Sequence, residues 1–332
     1  MFTEKEVLKK KLSSKKKEDK QEESSGRVVL VLLIVSTGLT LAFYLSSFLP
    51  AFWQKITAPK VIRLNSGQKE VSPVVFESAP TPTPWQKNLE EELVGLISQQ
   101  DGLYGIYLYE INSQRFLGVN HQESFSAASL MKLPVVIAAY QEAERKQFDL
   151  TAQYHLREED KLSGNGSVHL QPEGTVYTYR ALIKLAIEQS DNTAISVIAK
   201  AIEEEKIQKN IDRLGLTKTD YVLRKTTPED IGQLLLALHQ GKALTSAHSQ
   251  EIIGFLTNSI FNDQIPAFLP DNLVIAHKIG LDENLLHDAA IIFVDDGDFI
   301  LVIMSQGDPE DRAQTVLEEI TKMVWEAVRN SN

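Results

Sequence analysis

Three short stretches of the sequence carry side chains able to open an amide. The first is Ser129-Leu130-Met131-Lys132. On a helix, a serine and a lysine at this spacing share one face, one turn from each other. A lysine so placed takes the serine proton if its amine is neutral, which requires burial or a neighbouring cation. The spacing alone is weak, because Ser13/Lys16, Ser14/Lys17 and Ser66/Lys69 repeat it. Context separates Ser129 from these. It follows a predicted strand and opens an apolar run, Leu130, Leu133, Val136, Ile137 and Tyr140. Pro134 belongs in a first helical turn, where a missing N–H costs least, so the helix is expected to begin at Ala127 to Ser129. A helix N-terminus there favours a developing alkoxide or oxyanion. The second stretch is Ser190-Asp191-Asn192, at the end of an apolar helix predicted over 179–188. By itself it reads as a cap for the next helix, Thr193–Ile202. The third is His277-Lys278-Ile279-Gly280, at the end of a predicted strand and followed, past a turn, by His287-Asp288-Ala289-Ala290. A lone lysine on an edge strand is most often a solvated charge.

The elements that must position these groups are legible in the apolar spacing. A helix is predicted over Asn88–Gln99. Two strands follow, Gly105–Ile111 and Arg115–Asn120, joined by a turn at Asn112-Ser113. Helices occupy the middle, from about 127 to 258. Strand patterns return at Leu273–Ile279, Ala289–Val294 and Phe299–Ser305, with a turn at Asp295-Asp296-Gly297, and a helix over Gln314–Arg329 closes the chain. Strands at both ends with helices between predict an α+β (α/β) fold. Its one five-stranded, mainly antiparallel sheet is completed by both chain ends, with helices divided between its faces.

The rest of the chain bounds its setting. None of its 332 residues is cysteine, which excludes disulfides, thiolate zinc sites, a catalytic thiol and a lipid-modified cysteine. Residues 1–27 carry nine Lys/Arg against six Asp/Glu, a local +3, and the net charge of −11 leaves −14 for the remainder. A body that acidic argues against nucleic acid as a partner. Residues 1–27 read as a basic cytoplasmic tail. Residues 28–54 are 27 in number and uncharged. About 20 apolar residues suffice to span a bilayer core, and no small-residue cleavage site ends the run. A single-pass anchor is therefore expected, holding everything after it outside the cell membrane. Residues 55–85, with Ala79-Pro80-Thr81-Pro82-Thr83-Pro84, read as an extended stalk. Residues 86–332 are the folded part.

In this order and together, the three stretches resemble the S-x-x-K, S-D-N and K-T-G set of class A β-lactamases and penicillin-binding proteins. Leu156-Arg157-Glu158-Glu159-Asp160, Gly164-Asn165-Gly166-Ser167, Pro172-Glu173-Gly174-Thr175, Thr226-Thr227-Pro228 and Leu269-Pro270 extend the resemblance over about 86–330. It implies a β-lactamase/transpeptidase-like fold and a serine acyl-hydrolase. Ser129 would be the nucleophile and Lys132 its proton acceptor. Ser190 would relay a proton to the departing nitrogen. Asn192 would hold the substrate amide and orient Lys132. Lys278 would depress the pKa of Lys132 and attract the substrate carboxylate. Gly280 and Leu281 belong to the strand lining the substrate, and the backbone N–H groups of Ser129 and Leu281 would form the oxyanion hole. No cofactor and no metal are implied, and none of the seven histidines forms H-x-H or H-E-x-x-H. A monomer is expected.

Two positions depart from that pattern. Ile279 stands where the family has a hydroxyl able to donate to a substrate carboxylate, a charge-assisted bond worth roughly 1.5–3 kcal/mol. The interval from Leu214 to Thr226 holds no glutamate to match the E-x-x-L-N motif that frees the class A enzyme, and Asp220 is its one carboxylate. No deacylating base is assignable. Three activities remain open: a β-lactam hydrolase with slow release, a penicillin-binding or DD-peptidase-like enzyme acting on a cell-wall peptide, and a catalytically degenerate wall-binding module.

Overall fold

The computed structural model describes residues 83–330, so the tail, the anchor and most of the stalk lie outside the described residues. The first helix, α1 (Pro84–Ile97), starts inside the expected stalk. Proline is tolerated at a first helical position because its missing N–H has no helical partner there. The Thr83 N–H instead donates to Gln86 Oε1 at 2.9 Å, closing the turn. Leu89, Leu93 and Ile97 recur along one face and are buried.

A hairpin follows, β1 (Leu103–Glu110) and β2 (Arg115–Val119). The short β3 (Phe125–Ser126) leads into a 3₁₀ turn over Ala128–Met131 and then α2 (Lys132–Glu144). The middle of the chain holds β4 (Gln153–His155), β5 (Val176–Thr178), α3 (Tyr179–Glu188), α4 (Asn192–Ile202), α5 (Glu204–Arg213), β6 (Lys225–Thr226), α6 (Pro228–His239) and α7 (Ser246–Thr257). The chain returns to the sheet with β7 (Val274–Asp282), β8 (Leu285–Phe293) and β9 (Phe299–Gln306), and ends on α8 (Glu310–Asn330).

The main sheet has five strands in the order β2-β1-β9-β8-β7, every pairing antiparallel. The register Gly105↔Met304 joins the first strand to the last, so the two ends of the domain complete one sheet, as the strand spacing predicts. α1 and α8 cover one face. Val316, Ile320 and Val324 of α8 pack there with Leu89, Leu93, Ile106 and Leu301. The remaining helices build a second core on the other face, around Val136, Ile137, Tyr140, Leu182, Ile198 and Leu235. Each such side chain, fully buried, contributes about 1.5–3 kcal/mol.

Around the three motif stretches, three boundaries differ from expectation, each for a physical reason. The regular helix α2 starts at Lys132, so Ser129 sits on the 3₁₀ turn before it. Pro134 still falls in the first α-helical turn. β8 starts at Leu285 rather than Ala289, because His287 and Asp288, which interrupt the apolar pattern, are buried with partners inside the strand. β7 runs on to Asp282, so Lys278 lies in mid-strand.

Candidate active site

Ser129 and Lys132 owe their contact to the 3₁₀ turn. With three residues per turn, positions i and i+3 eclipse, and Lys132 Nζ lies 2.9 Å from Ser129 Oγ. Ala128, just before the nucleophile, has φ 44°, a left-handed conformation rare outside glycine. Strain of this kind persists only where the surroundings hold it. Here the Ala127 N–H donates to the Arg224 carbonyl at 2.8 Å, and the Ser126 carbonyl accepts from His287 Nε2 at 2.8 Å. Burial pushes the His287 imidazole down to about 4. The ring is therefore neutral, donating from Nε2 and accepting the Ser305 N–H at Nδ1 (3.2 Å). This histidine ties the approach to the nucleophile onto β8 and β9.

The turn at Ser190-Asp191-Asn192 is built from behind. Asp191 caps α4 and is fully buried, accepting the Ala194 N–H at Oδ1 and the Val168 N–H at Oδ2, both at 2.8 Å. Gly166, at φ 102°, presses on this carboxylate so closely that a Cβ would sit 2.1 Å from Oδ2. The Asn165 carbonyl accepts the Asn192 N–H at 3.0 Å. The segment Gly164–Ser167 thus moulds the turn, which leaves Ser190 at φ 52° and aims both flanking side chains at Lys132.

The Lys132 amine is the hub. Besides Ser129 it lies 2.9 Å from Asn192 Oδ1, 2.5 Å from the Ser190 carbonyl and 3.0 Å from Ser190 Oγ. On the far side, Lys278 Nζ lies 3.0 Å from the same Ser190 Oγ and 3.0 Å from the Ile279 carbonyl. Five sequence-predicted residues therefore form one connected chain of polar groups. Burial pushes the Lys132 ammonium down to about 8, with Asp191 opposing the shift and Arg224 adding to it. Burial, then the charge of Lys132, pushes Lys278 down to about 7, against the pull of Asp288. Desolvation dominates at both amines, Arg224 adds to it at Lys132, and the like charges of Lys132 and Lys278 each disfavour protonation of the other. Ser190 Oγ, with one proton between two amines, donates to a neutral amine and accepts from a charged one.

The cleft above this chain encloses about 1050 Å³. Ser129, Lys132 and Asn192 line it, and Leu281 lines it from β7. Ser190 is fully buried, Lys278 is 1% exposed, and neither lines the cleft. The lysine that reads from sequence as a solvated edge charge is an interior one. Gly280 has a steric part. A Cβ there would lie 3.0 Å from His287 Cδ2 and 3.2 Å from Leu130 Cγ, so a glycine lets β7 approach the nucleophile turn. Ile279 is 2% exposed, pairs opposite Asp288 and does not line the cleft. Asp288 is held by His277 Nδ1 at 3.0 Å and by the Ile265 N–H at 3.0 Å.

Arg224 and Tyr221 line the cleft but carry no motif in the sequence. They sit on a tight hairpin between α5 and α6, closed by the Asp220↔Lys225 bridge. Asp220 accepts the Leu223 N–H at 2.8 Å inside that hairpin and does not line the cleft. The carboxylates that do line it are Glu203, Glu204 and Asp282. Among the described residues none of these bonds to Ser129, Lys132 or Asn192, and no cluster of potential metal ligands occurs.

The comparisons agree with this fold. The β-lactamase VEB-1 of Pseudomonas aeruginosa is 19% identical over 281 residues, covering 76% of this chain and 92% of that protein. A β-lactamase of Bacillus licheniformis is 23% identical over 276 residues, covering 74% and 87%. Among solved structures, PBP-A superposes with a TM-score of 0.70 at 23% identity, covering 73% of this chain and 96% of that one. A PBP-A mutant in acyl-enzyme complex with penicillin G gives 0.70 at 21% identity, covering 79% and 100%. At these identities the solved structures establish the fold. The model of the family described as the beta-lactamase enzyme family matches residues 88–328, and by that match the chain, its serine and lysine in contact, belongs to that family of serine hydrolases.

Proposed function

We propose that the protein opens the amide of a β-lactam through an acyl-enzyme on Ser129 and releases it slowly, in the manner of class A enzymes up to the acyl stage. The observation that carries this reading is the Lys132 amine, held against Ser129 Oγ by Ser190 and Asn192 and pushed down to about 8. Neutral Lys132 takes the Ser129 proton as Oγ bonds to the carbonyl carbon. The carbonyl oxygen, negative in the tetrahedral state, faces the backbone N–H groups of Ser129 and Leu281. The C–N bond then breaks and the nitrogen recovers the proton from Lys132. Ser190 and Lys278, behind it, keep that amine placed and share its charge. Water attack on the ester would restore Ser129.

Slow release follows from the missing base. Asp220 is bound up in its hairpin, and no carboxylate of the cleft bonds to the Ser129 group. A cell-wall peptide as the natural acyl donor is a second reading. It is favoured by a cleft of about 1050 Å³ whose lining includes Lys200, Tyr221 and Arg224 as well as Ser129. A bicyclic lactam does not need that volume. Membrane anchoring through residues 28–54, with this domain on the outer side, belongs to the same proposal.

Adduct lifetime tests the reading. After free penicillin is removed, the labelled protein is expected to persist far longer than the mixing time, with no sustained turnover of a chromogenic cephalosporin. Rapid steady-state turnover would overturn slow release, and release of D-alanine from a stem peptide would establish the second reading.

A further inference from the structure

The two backbone N–H groups proposed for the oxyanion hole, those of Ser129 and Leu281, belong to separate parts of the fold. One lies on the 3₁₀ turn before α2 and the other on β7. A single buried side chain stands against both approaches. His287, on β8, pairs directly opposite Gly280, the residue before Leu281. It packs against that strand, since a Cβ on Gly280 would meet His287 Cδ2 at 3.0 Å and His287 Cβ at 3.3 Å. From the same ring, Nε2 lies 2.8 Å from the carbonyl oxygen of Ser126, three residues before Ser129. The Ser305 N–H on β9 donates to Nδ1 at 3.2 Å. A carbonyl only accepts and an N–H only donates, so the ring proton sits on Nε2 and Nδ1 is bare. The ring is fully buried, so bulk water cannot replace either bond.

The geometry points to His287 as a positioning residue of the acylation step, one that fixes the two N–H groups of the oxyanion hole relative to each other. Between Ser126 and Ser129 the chain carries one strained residue, Ala128 at φ 44°. Such a conformation persists only while its neighbours hold it. Three ties act on the two residues before it. The Ser126 N–H donates to Gln306 Oε1 at 3.2 Å, the Ser126 carbonyl accepts from His287, and the Ala127 N–H donates to the Arg224 carbonyl at 2.8 Å. Of these three partners, His287 is the one whose strand pairs with β7. Oxyanion donors work only at fixed geometry, about 2.7–3.1 Å from the oxygen on which charge develops. A misplacement of about 1 Å is enough to cost about 100-fold in rate. His287 does not line the cleft, so it acts through the backbone it holds. Its effect therefore falls on the transition state and not on binding of the intact lactam. This assignment rests on the acyl-enzyme reading.

Three substitutions in the full-length protein test it. His287→Leu removes both bonds and keeps an apolar side chain in the space. His287→Asn loses the reach to Ser126 but keeps an acceptor near the Ser305 N–H, and it carries the test if the leucine variant does not fold. His287→Gln keeps a donor long enough to reach Ser126. The rate of adduct formation is followed by intact mass against benzylpenicillin concentration and pH, with Tm recorded alongside. In His287→Leu and His287→Asn the saturating rate should fall about 10- to 100-fold. The half-saturating concentration should stay within a few fold, and the pH profile should not move. His287→Gln should recover most of the rate. A merely structural role would lower Tm and leave the rate of the folded protein as it was. An unchanged saturating rate in the folded variants, a loss confined to the half-saturating concentration, or a His287→Gln no faster than His287→Asn overturns the assignment. Failure of the acylation reading shows separately, as the absence of any adduct on the unmutated protein.

Discussion

Lys132→Ala is expected to slow acylation of Ser129 by about 100- to 10,000-fold, the range that a positioned general base supplies. The substitution removes the group that contacts Ser129 Oγ at 2.9 Å and leaves the 3₁₀ turn and its backbone ties in place. The same account sets the pH dependence of the unmutated protein. Acylation requires the neutral amine. Lys132 is pushed down to about 8, so the rate should climb about tenfold per pH unit below that value and level off above it. The check is the pseudo-first-order rate of adduct formation between pH 6 and pH 10, by intact mass, for both proteins. A flat profile, or a Lys132→Ala rate within a few fold of the original, would place the proton acceptor elsewhere.

Lys278→Met should act in opposite directions on stability and on chemistry. Lys278 is 1% exposed and pushed down to about 7, against about 10.4 in an unfolded chain. Between those values the unfolded state binds the extra proton, so stability rises with pH across the window. Below about pH 7 the amine is charged in both states and the full cost of burying it is present. Replacing buried ionic groups by well-packed apolar ones of similar volume is often neutral or stabilising by about 1–4 kcal/mol, and Lys278, buried without a bonded carboxylate, is expected to follow that pattern. At roughly 2–4 °C per kcal/mol for a domain of this size, Tm at pH 6.5 should rise by several degrees. The gain should shrink as the pH approaches 10. Acylation should fall at the same time, because Ser190 Oγ loses one of its two amines and the charge shared with Lys132 disappears. A fall in Tm would mean that the bonds from Lys278 to Ser190 and the Ile279 carbonyl outweigh the buried charge.

Much of this was legible in the sequence because the informative features are local. Strand alternation and turns gave the five-stranded sheet. Local context singled out Ser129 and Lys132 from a chain that repeats the serine–lysine spacing elsewhere, and the resemblance of the three stretches, in their order, to a known motif set added Ser190, Asn192 and Lys278. What escaped is tertiary. The burial of Lys278 depends on β7 packing against the nucleophile turn, which one glycine, Gly280, permits. His287 and Asp288 looked like breaks in a strand because their partners, Ser126 and His277, are distant in sequence or on a neighbouring strand. Arg224 belongs to no motif. The hairpin that brings it to the cleft is not encoded by apolar periodicity. The start of α1 at Pro84 was missed for another reason, since alternating prolines read as extended chain while the last of them is well suited to begin a helix.

The most direct test is an intact mass spectrum of the full-length protein after exposure to benzylpenicillin, beside Ser129→Ala. The unmutated chain should gain the whole mass of one penicillin, since ring opening expels no fragment, and peptide mapping should place it on Ser129. Ser129→Ala should gain nothing. An unmodified wild-type chain, or an equal adduct on Ser129→Ala, would contradict the assignment of Ser129 as the nucleophile.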